Sequence, residues 1–246
     1  MTAGKPLIWD ESRLADPHAQ PDKARRVQSM FDGIAPTYER VNRVLSAGRD
    51  AYWRRRAVEL AGIQATDDVL DIACGTGDFA RAFAAARPAR VVGADFSAGM
   101  LALAANRPAP VEWCRADALV LPFIDAAFDV VSCAFGVRNF QNLSAGLREM
   151  RRVLRPDGRI CILEFTMPRS RILGRMYLFY FRRVLPKVAS VISRDSSGAY
   201  DYLPQSVSTF LDAPSMVKMM EDAGFADVRH TSLTAGVATV YVGRVP

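Results

Sequence analysis

The stretch Val69-Leu70-Asp71-Ile72-Ala73-Cys74-Gly75-Thr76-Gly77-Asp78 joins an apolar run to a tight glycine turn and then to a helical pattern. A strand feeding such a turn lets a ligand approach the backbone. Downstream, short β-branched runs alternate with helical stretches, the pattern of βαβ units and a parallel sheet. Strands are expected at Asp68–Ala73, Arg90–Ala94, Val111–Arg115, Phe128–Ala134 and Gly158–Phe165. Helices are expected at Asp78–Ala86, Ala98–Asn106 and Leu143–Val153, the last closed by the turn Arg155-Pro156-Asp157-Gly158. After Phe165 the alternation breaks, and a helix at Ala213–Ala223 ends at Gly224, a C-cap residue. Strands at Ala226–Ser232 and Val237–Arg244 follow, and the hairpin-length loop between them makes them antiparallel neighbours.

Residues 1–60 show helical periodicity at Val27, Met30, Phe31 and Ile34 and again at Trp53, Ala57, Val58 and Leu60, which predicts a helical cap over one edge of the sheet. One domain is expected: a cap over 1–60, a cofactor-binding core over 61–166, a lid-like basic and aromatic insertion over 167–205, and a C-terminal helix and hairpin over 206–246.

Gly75, Gly77 and Ala80 fit the relaxed G-x-G-x-x-G/A spacing of dinucleotide turns. Charge points elsewhere. A pyrophosphate needs amides and no nearby anion, whereas Asp71 closes the strand and Asp78 follows the loop. The loop suits a cation, and S-adenosylmethionine carries an ammonium and a sulfonium without phosphate. Asp95, 18 residues after Gly77, is placed to accept both ribose hydroxyls, and Asp117-Ala118 to meet the adenine edge.

The 246 residues are 50% apolar, 24% charged and 9% aromatic, which excludes disordered, collagenous and disulfide-stapled classes. No apolar run is long enough to span a bilayer, and residues 1–20 lack the composition of a secretory signal, so a cytoplasmic protein is expected. Four cysteines without Cys-x-x-Cys spacing and only two histidines, His18 and His230, leave little material for a metal site, a disulfide framework or a histidine triad. The net charge of +6 is concentrated between Arg169 and Arg194, where seven cations and no acid occur.

Val69 to Asp78, with Asp95 and Asp117, resembles the class I S-adenosylmethionine-dependent methyltransferases, whose doubly wound, mostly parallel seven-stranded sheet ends in an antiparallel hairpin. Further motifs narrow the resemblance: Phe31-Asp32-Gly33-Ile34-Ala35-Pro36-Thr37-Tyr38 with Asn42, Leu121-Pro122-Phe123, Phe135-Gly136-Val137-Arg138-Asn139, Arg152-Val153-Leu154-Arg155-Pro156-Asp157-Gly158 and Glu164-Phe165. With Tyr200, Tyr202-Leu203, Ser206-Val207, Ala223-Gly224-Phe225 and Leu233-Thr234-Ala235-Gly236-Val237, these look like the ubiquinone/menaquinone biosynthesis C-methyltransferases over about residues 25–244. The resemblance implies cofactor contacts at Thr76, Asp95, Asp117 and Ala118, to which the loop reading adds Asp71, Gly75 and Gly77. Ala134 stands where many relatives have serine, and Asp117 where they often have asparagine.

The implied reaction is methyl transfer to a ring carbon of a reduced, polyprenylated quinone, demethylmenaquinol to menaquinol or the corresponding benzoquinol step. A phenol has a pKa near ~10, so its oxyanion needs support. Arg138 and Asn139 are the candidate donors, and Tyr38 the candidate cap residue over the pocket. Within Ile172–Val191, Leu173, Met176, Tyr177, Tyr180, Val184 and Val188 share one helical side, Arg171, Arg175 and Arg182 the opposite one, and Pro186 marks a kink. That pattern fits a lid touching anionic lipid, and equally a homo-oligomer contact. Other class I small-molecule methyltransferases, acting on phenols, lipids or polyketides, remain open. Nucleic acid is disfavoured, because no Asn/Asp-Pro-Pro-aromatic run follows the fourth strand.

Overall fold

The computed structural model describes residues 8–46, 48–168, 170–184 and 199–246. β1 (Asp68–Ile72) lies in mid-sheet and is buried on both faces, with Val69, Leu70 and Ile72 apolar and Asp71 the buried exception. Around it the sheet order is β3-β2-β1-β4-β5-β7-β6, with β2 Arg90–Asp95, β3 Glu112–Arg115, β4 Phe128–Ala134, β5 Leu154–Phe165, β6 Ala226–Leu233 and β7 Ala238–Arg244. β1 to β5 are parallel, and β7 lies antiparallel between β5 and β6, the expected C-terminal hairpin.

Nine α-helices are described: α1 Glu11–Leu14, α2 Lys23–Leu45, α3 Arg49–Ala61, α4 Asp78–Ala85, α5 Ala98–Ala105, α6 Leu143–Val153, α7 Arg171–Phe179, α8 Ala199–Ser208 and α9 Ala213–Asp222. Strand alternation divides the core into two layers. Leu70, Ile72, Val131, Ile160 and Ile162 meet Leu147, Met150 and Val153 of α6 and Met216 and Met220 of α9. Val69, Val91, Val130, Cys161 and Leu163 meet Trp53, Ala57 and Ala61 of α3 and Phe79 and Phe83 of α4.

The N-terminal helices do not cover a sheet edge. α3 lies on a sheet face because Trp53, Ala57, Val58 and Ala61 supply an apolar stripe. α2 crosses the carboxyl ends of the strands, where Lys23 Nζ donates to the Phe140 carbonyl at 2.8 Å and Gln28 Nε2 to the Phe96 carbonyl at 3.2 Å. A third apolar cluster joins this cap to α8, with Trp9 stacked on Tyr202 at 4.4 Å.

The segment Arg155–Gly158 lies within β5 rather than between α6 and the strand. Leu154 pairs with Phe128 and Arg159 with Val130, so four residues loop out of the ladder around Asp157 at φ +61°. Arg155 secures this bulge by binding Asp68, at 2.9 Å, and Asp129.

In the basic segment, α7 continues as a π-helical turn, Tyr180–Val184. Tyr177 and Tyr180 pack inward, but Leu173 and Met176 are exposed, so the expected apolar side is split by the cluster it meets. Pro186 and Val188, and the side chains of Arg171 and Arg182, lie outside the described residues. Among the described residues no helix is long and apolar enough to cross a membrane, and no group of three or more His, Cys, Asp or Glu could hold a metal ion.

Trp113 on β3 crosses the sheet edge onto two glycines: a Cβ on Gly93, its register partner, would lie 2.5 Å from the ring, and one on Gly77 2.3 Å away. Gly93→Ala is therefore expected to cost about 1–3 kcal/mol by overpacking, lowering Tm by several degrees. Shrinking the ring with Trp113→Leu in the same chain should recover part of that loss in thermal denaturation.

Candidate functional site

Two cavities open at the carboxyl ends of β1, β2 and β4, where open α/β sheets hold their ligands. The larger measures about 770 Å³ counting its open mouth, the size of a small-molecule site. Gly75, Asp95, Phe96, Asp117 and Ala118 line one side, and Val27, Phe31, Phe135, Asn139, Phe140 and Gln141 contribute the other. Asp71, Gly75, Thr76 and Arg54 line the smaller one. Ala73, Gly75 and Ala134 border both.

The glycine turn is built as its residues require. Gly75 and Gly77 take φ +57° and +83°, and Gly77 starts α4. Ala73 and Phe135, which follow β1 and β4, also sit at positive φ, +52° and +57°, a strain proteins concentrate at ligand sites. Asp95 holds the turn in place: Oδ2 accepts from the Gly75 amide and Oδ1 from the Ser97 amide, both at 2.8 Å. Each oxygen keeps a second lone pair for a ligand hydroxyl. Burial raises the Asp95 carboxyl above its ordinary range, against the lowering effect of those amides. Asp117 Oδ1 accepts from the Leu119 amide at 2.9 Å, an Asx turn that leaves Asp117 and Ala118 on the cavity wall.

Asp71 is fully buried on the α3/α4 side of β1. Oδ1 accepts from Ser132 Oγ at 2.9 Å, whereas Oδ2 accepts nothing from the protein. Burial pushes its pKa up to about 7, although Ser132 and Arg54 oppose the shift. A buried carboxylate oxygen without a donor, lining a cavity, fits a cationic ligand, and the acids of both cavities suit a positively charged nucleoside without phosphate.

Arg138 lies behind the cavity wall rather than on it. Its Nη1 binds Glu164 Oε1 at 2.8 Å and the Phe135 carbonyl, its amide reaches Glu164 Oε2 at 3.3 Å, and its guanidinium lies 5.5 Å from the Phe165 ring centroid. Asn139 does line the cavity, and its Oδ1 accepts from Tyr202 of α8 at 2.9 Å. The Tyr38 side chain lies outside the described residues. His18 is half-buried beside Lys23, its Nε2 3.0 Å from the Ser206 carbonyl, and desolvation lowers its pKa. His230 points from β6 into solvent, so neither histidine borders a cavity.

Sequence reasoning missed Arg54 and Gln141 as lining residues, and Val27 and Phe31 were read as cap packing alone.

Comparison with known proteins agrees with this geometry. The ubiE/COQ5 methyltransferase family model matches residues 19–244. A demethylmenaquinone methyltransferase of Thermus thermophilus is 48% identical over 88% of this chain and 100% of its own. The "Ubiquinone/menaquinone biosynthesis C-methyltransferase UbiE" of Citrifermentans bemidjiense is 44% identical over 92% of this chain and 99% of its own. Among solved structures, a S-adenosylmethionine-dependent methyltransferase of Thermotoga maritima, 19% identical, superposes with a TM-score of 0.65 over 89% of this chain and 99% of that one, which shows the shared fold. Family model, near-full-length relatives and strand order converge: the chain belongs to the ubiE/COQ5 methyltransferase family.

Proposed function

We propose that this enzyme uses S-adenosyl-L-methionine to methylate a ring carbon of a reduced, polyprenylated quinone, converting demethylmenaquinol to menaquinol. The observation that carries the reading is one cleft with two characters: Asp95 and Asp117 beside the glycine turn, then Val27, Phe31, Phe135 and Phe140 on the acceptor side. When bound, the cofactor supplies an electrophilic methyl group on a sulfonium. Asp95 and Asp117 with Ala118 would hold its nucleoside, Gly75, Thr76 and Gly77 would shape the turn against it, and Asp71 would face its cationic end. The aromatic wall would exclude water and seat the quinol ring and the start of its tail.

Asn139 is the donor assigned to the quinol oxygen: its carbonyl accepts from Tyr202, its amide nitrogen donates to the Phe135 carbonyl at 3.4 Å, and the second amide hydrogen is left for the acceptor. Arg138 serves as a positioning residue, holding the Phe135–Asn139 turn through Glu164 and adding its positive charge from behind. Tyr38 is assigned to the cap over the acceptor. Product analysis with naphthoquinol and benzoquinol acceptors tests the substrate assignment: methylated demethylmenaquinol supports it, and turnover of unrelated phenols alone rejects it.

We place the enzyme in the cytoplasm, against the inner face of the membrane where its acceptor resides. Ile172, Met176 and Phe179 form an exposed stripe on α7, 73%, 63% and 65% accessible, and Arg175 and Arg183 are exposed near it. That combination suits anionic lipid. Replacing Ile172, Met176 and Phe179 by serine should abolish co-sedimentation with anionic vesicles. If the stripe instead joins two copies, the same variant converts an oligomer to a monomer in gel filtration and leaves vesicle binding unchanged.

Two substitutions probe the site. Asp95→Ala should weaken cofactor affinity by roughly tenfold to a hundredfold, the loss of about 1.5–3 kcal/mol of charge-assisted hydrogen bonding, as read by calorimetry. Arg138→Lys keeps the charge but loses the planar fork, and should lower kcat by about 10²-fold with cofactor affinity nearly unchanged. A folded Arg138→Lys protein turning over at the wild-type rate would remove Arg138 from the mechanism.

A further inference from the structure

Lys23 is only 3% accessible, in a place that disfavours an ammonium. It is the first residue of α2, at the positive end of the helix, and its described partners are a carbonyl and an imidazole rather than a carboxylate. Nζ donates to the Phe140 carbonyl at 2.8 Å and lies 3.3 Å from His18 Nδ1. Both polar partners of His18 are one-way: the Ser206 carbonyl of α8, 3.0 Å from Nε2, can only accept, and an ammonium can only donate. Nε2 therefore carries the ring hydrogen, Nδ1 is bare, and the imidazole is neutral. The Phe210 ring packs beside it, 5.6 Å between centroids. Of the charged groups around His18, Lys23 and Arg138 oppose a positive charge on it and Asp16 favours one, but Asp16 Oδ1 already accepts from the His18 and Ala19 amides at 3.1 Å. Desolvation lowers Lys23 to about 8 and His18 below its ordinary ~6.5.

The carbonyl that Lys23 holds belongs to the acceptor side of the larger cavity. Phe140 lines it between Asn139 and Gln141, and Ala24 and Val27 of α2 line it too. Gln141 ties the same two walls together, its Oε1 accepting from the Ala24 amide at 2.9 Å and its Nε2 donating to the Gln20 carbonyl at 3.0 Å. From this arrangement we infer that His18 is a proton-sensitive positioning residue: the neutral imidazole seats Lys23 on the Phe140 carbonyl and fixes α2 against the turn that presents Asn139, and a proton on Nδ1 unseats it and loosens the acceptor side. The inference rests on the reading of that side as the quinol site. Protonation would set N–H against N–H and place two positive charges side by side in poorly solvated ground. A docked cap thus binds fewer protons than an undocked one, so acid favours undocking. Farther along α2, Gln28 donates to the Phe96 carbonyl and Asp32 accepts from Ser97 Oγ, which confines the loosening to the first turn and spares the nucleoside side.

The test is steady-state kinetics of the full chain with a short-tailed demethylmenaquinol, and calorimetry with S-adenosylhomocysteine, at about pH 7 and 5. The quinol must lose a proton in every variant, so KM for the acceptor is the readout rather than kcat. Wild type should show an acceptor KM about tenfold or more higher at the lower pH. Asp71 and Asp95, whose carboxyls burial raises, titrate on the cofactor side as well, and His18→Asn separates them because it offers Lys23 an acceptor that takes no proton. In His18→Asn the acceptor KM should change by less than about threefold, while S-adenosylhomocysteine affinity follows the wild-type pH course. Lys23→Met should raise the acceptor KM about tenfold at pH 7 and abolish its acid rise. Nitrogen NMR of the imidazoles, with His230 the only other histidine, should show His18 as the Nε2–H tautomer titrating below about 6.5. A flat wild-type acceptor KM, or an acid rise kept in full by His18→Asn, overturns the inference. So does a His18 that is the Nδ1–H tautomer or titrates at or above about 6.5, a result that stands even if no variant folds. Wild type that turns over neither naphthoquinol nor benzoquinol at either pH refutes the acceptor reading, and the proton-sensitive role with it, even where the NMR signature is as expected.

Discussion

The ion pair between Arg138 and Glu164 is the constraint on which the acceptor side of the molecule rests. Both side chains are almost wholly buried, so each would be costly without the other, and breaking such a pair typically costs about 3–5 kcal/mol. Glu164 ends a central strand and cannot move without disturbing β5, so it dictates where the turn after β4 must lie. Arg138 also holds the Phe135 carbonyl, and Phe135 is thereby kept at a positive φ that an isolated chain would avoid. From there the constraint spreads outward: Asn139 follows Arg138 in the same turn, Tyr202 bonds Asn139, and Trp9 stacks on Tyr202. A charge pair beneath the sheet end thus fixes the cap that closes the cleft above it.

The cofactor side is governed by a different economy of charge. Asp71 and Asp95 are buried acids whose carboxyl groups are raised by desolvation, and both stay in place because backbone or hydroxyl donors meet part of their need. What remains unmet points into the cavities. The protein thus carries a small electrostatic deficit that a cationic nucleoside is suited to relieve, while the wall a few residues away is largely apolar and aromatic. On the proposed reading, this division would keep a polar cofactor and an apolar acceptor in adjoining but distinct surroundings.

How the two halves meet follows from the parallel sheet. Every strand from β1 to β5 delivers its carboxyl end to the same rim, so loops distant in sequence converge there without any need for long excursions. α2 crosses that rim because its apolar stripe has no sheet face left to cover: α3 and α4 occupy one face, α6 and α9 the other. The cap is a consequence of the layers being full.

The sequence alone determined what depends on neighbours along the chain. The strand from Val69 into Gly75, the alternating βα units, the Gly224 cap and the closing hairpin are local in origin, since periodicity and turn residues act within a few positions. The acids Asp71, Asp95 and Asp117 were legible for the same reason, each lying at or just beyond the carboxyl end of a strand whose place in a parallel sheet could be read. Tertiary structure decided whatever required two distant segments to meet. That Arg138 would be claimed by Glu164, that Arg155 would reach back to Asp68 and Asp129 and turn a loop into a bulge, and that Leu173 and Met176 would face outward depended on partners 26 to 87 residues away or on a cluster assembled from three helices. A guanidinium has the same spacing in sequence whether it faces a ligand or a buried carboxylate, and only the packing that sets the distance between them chooses.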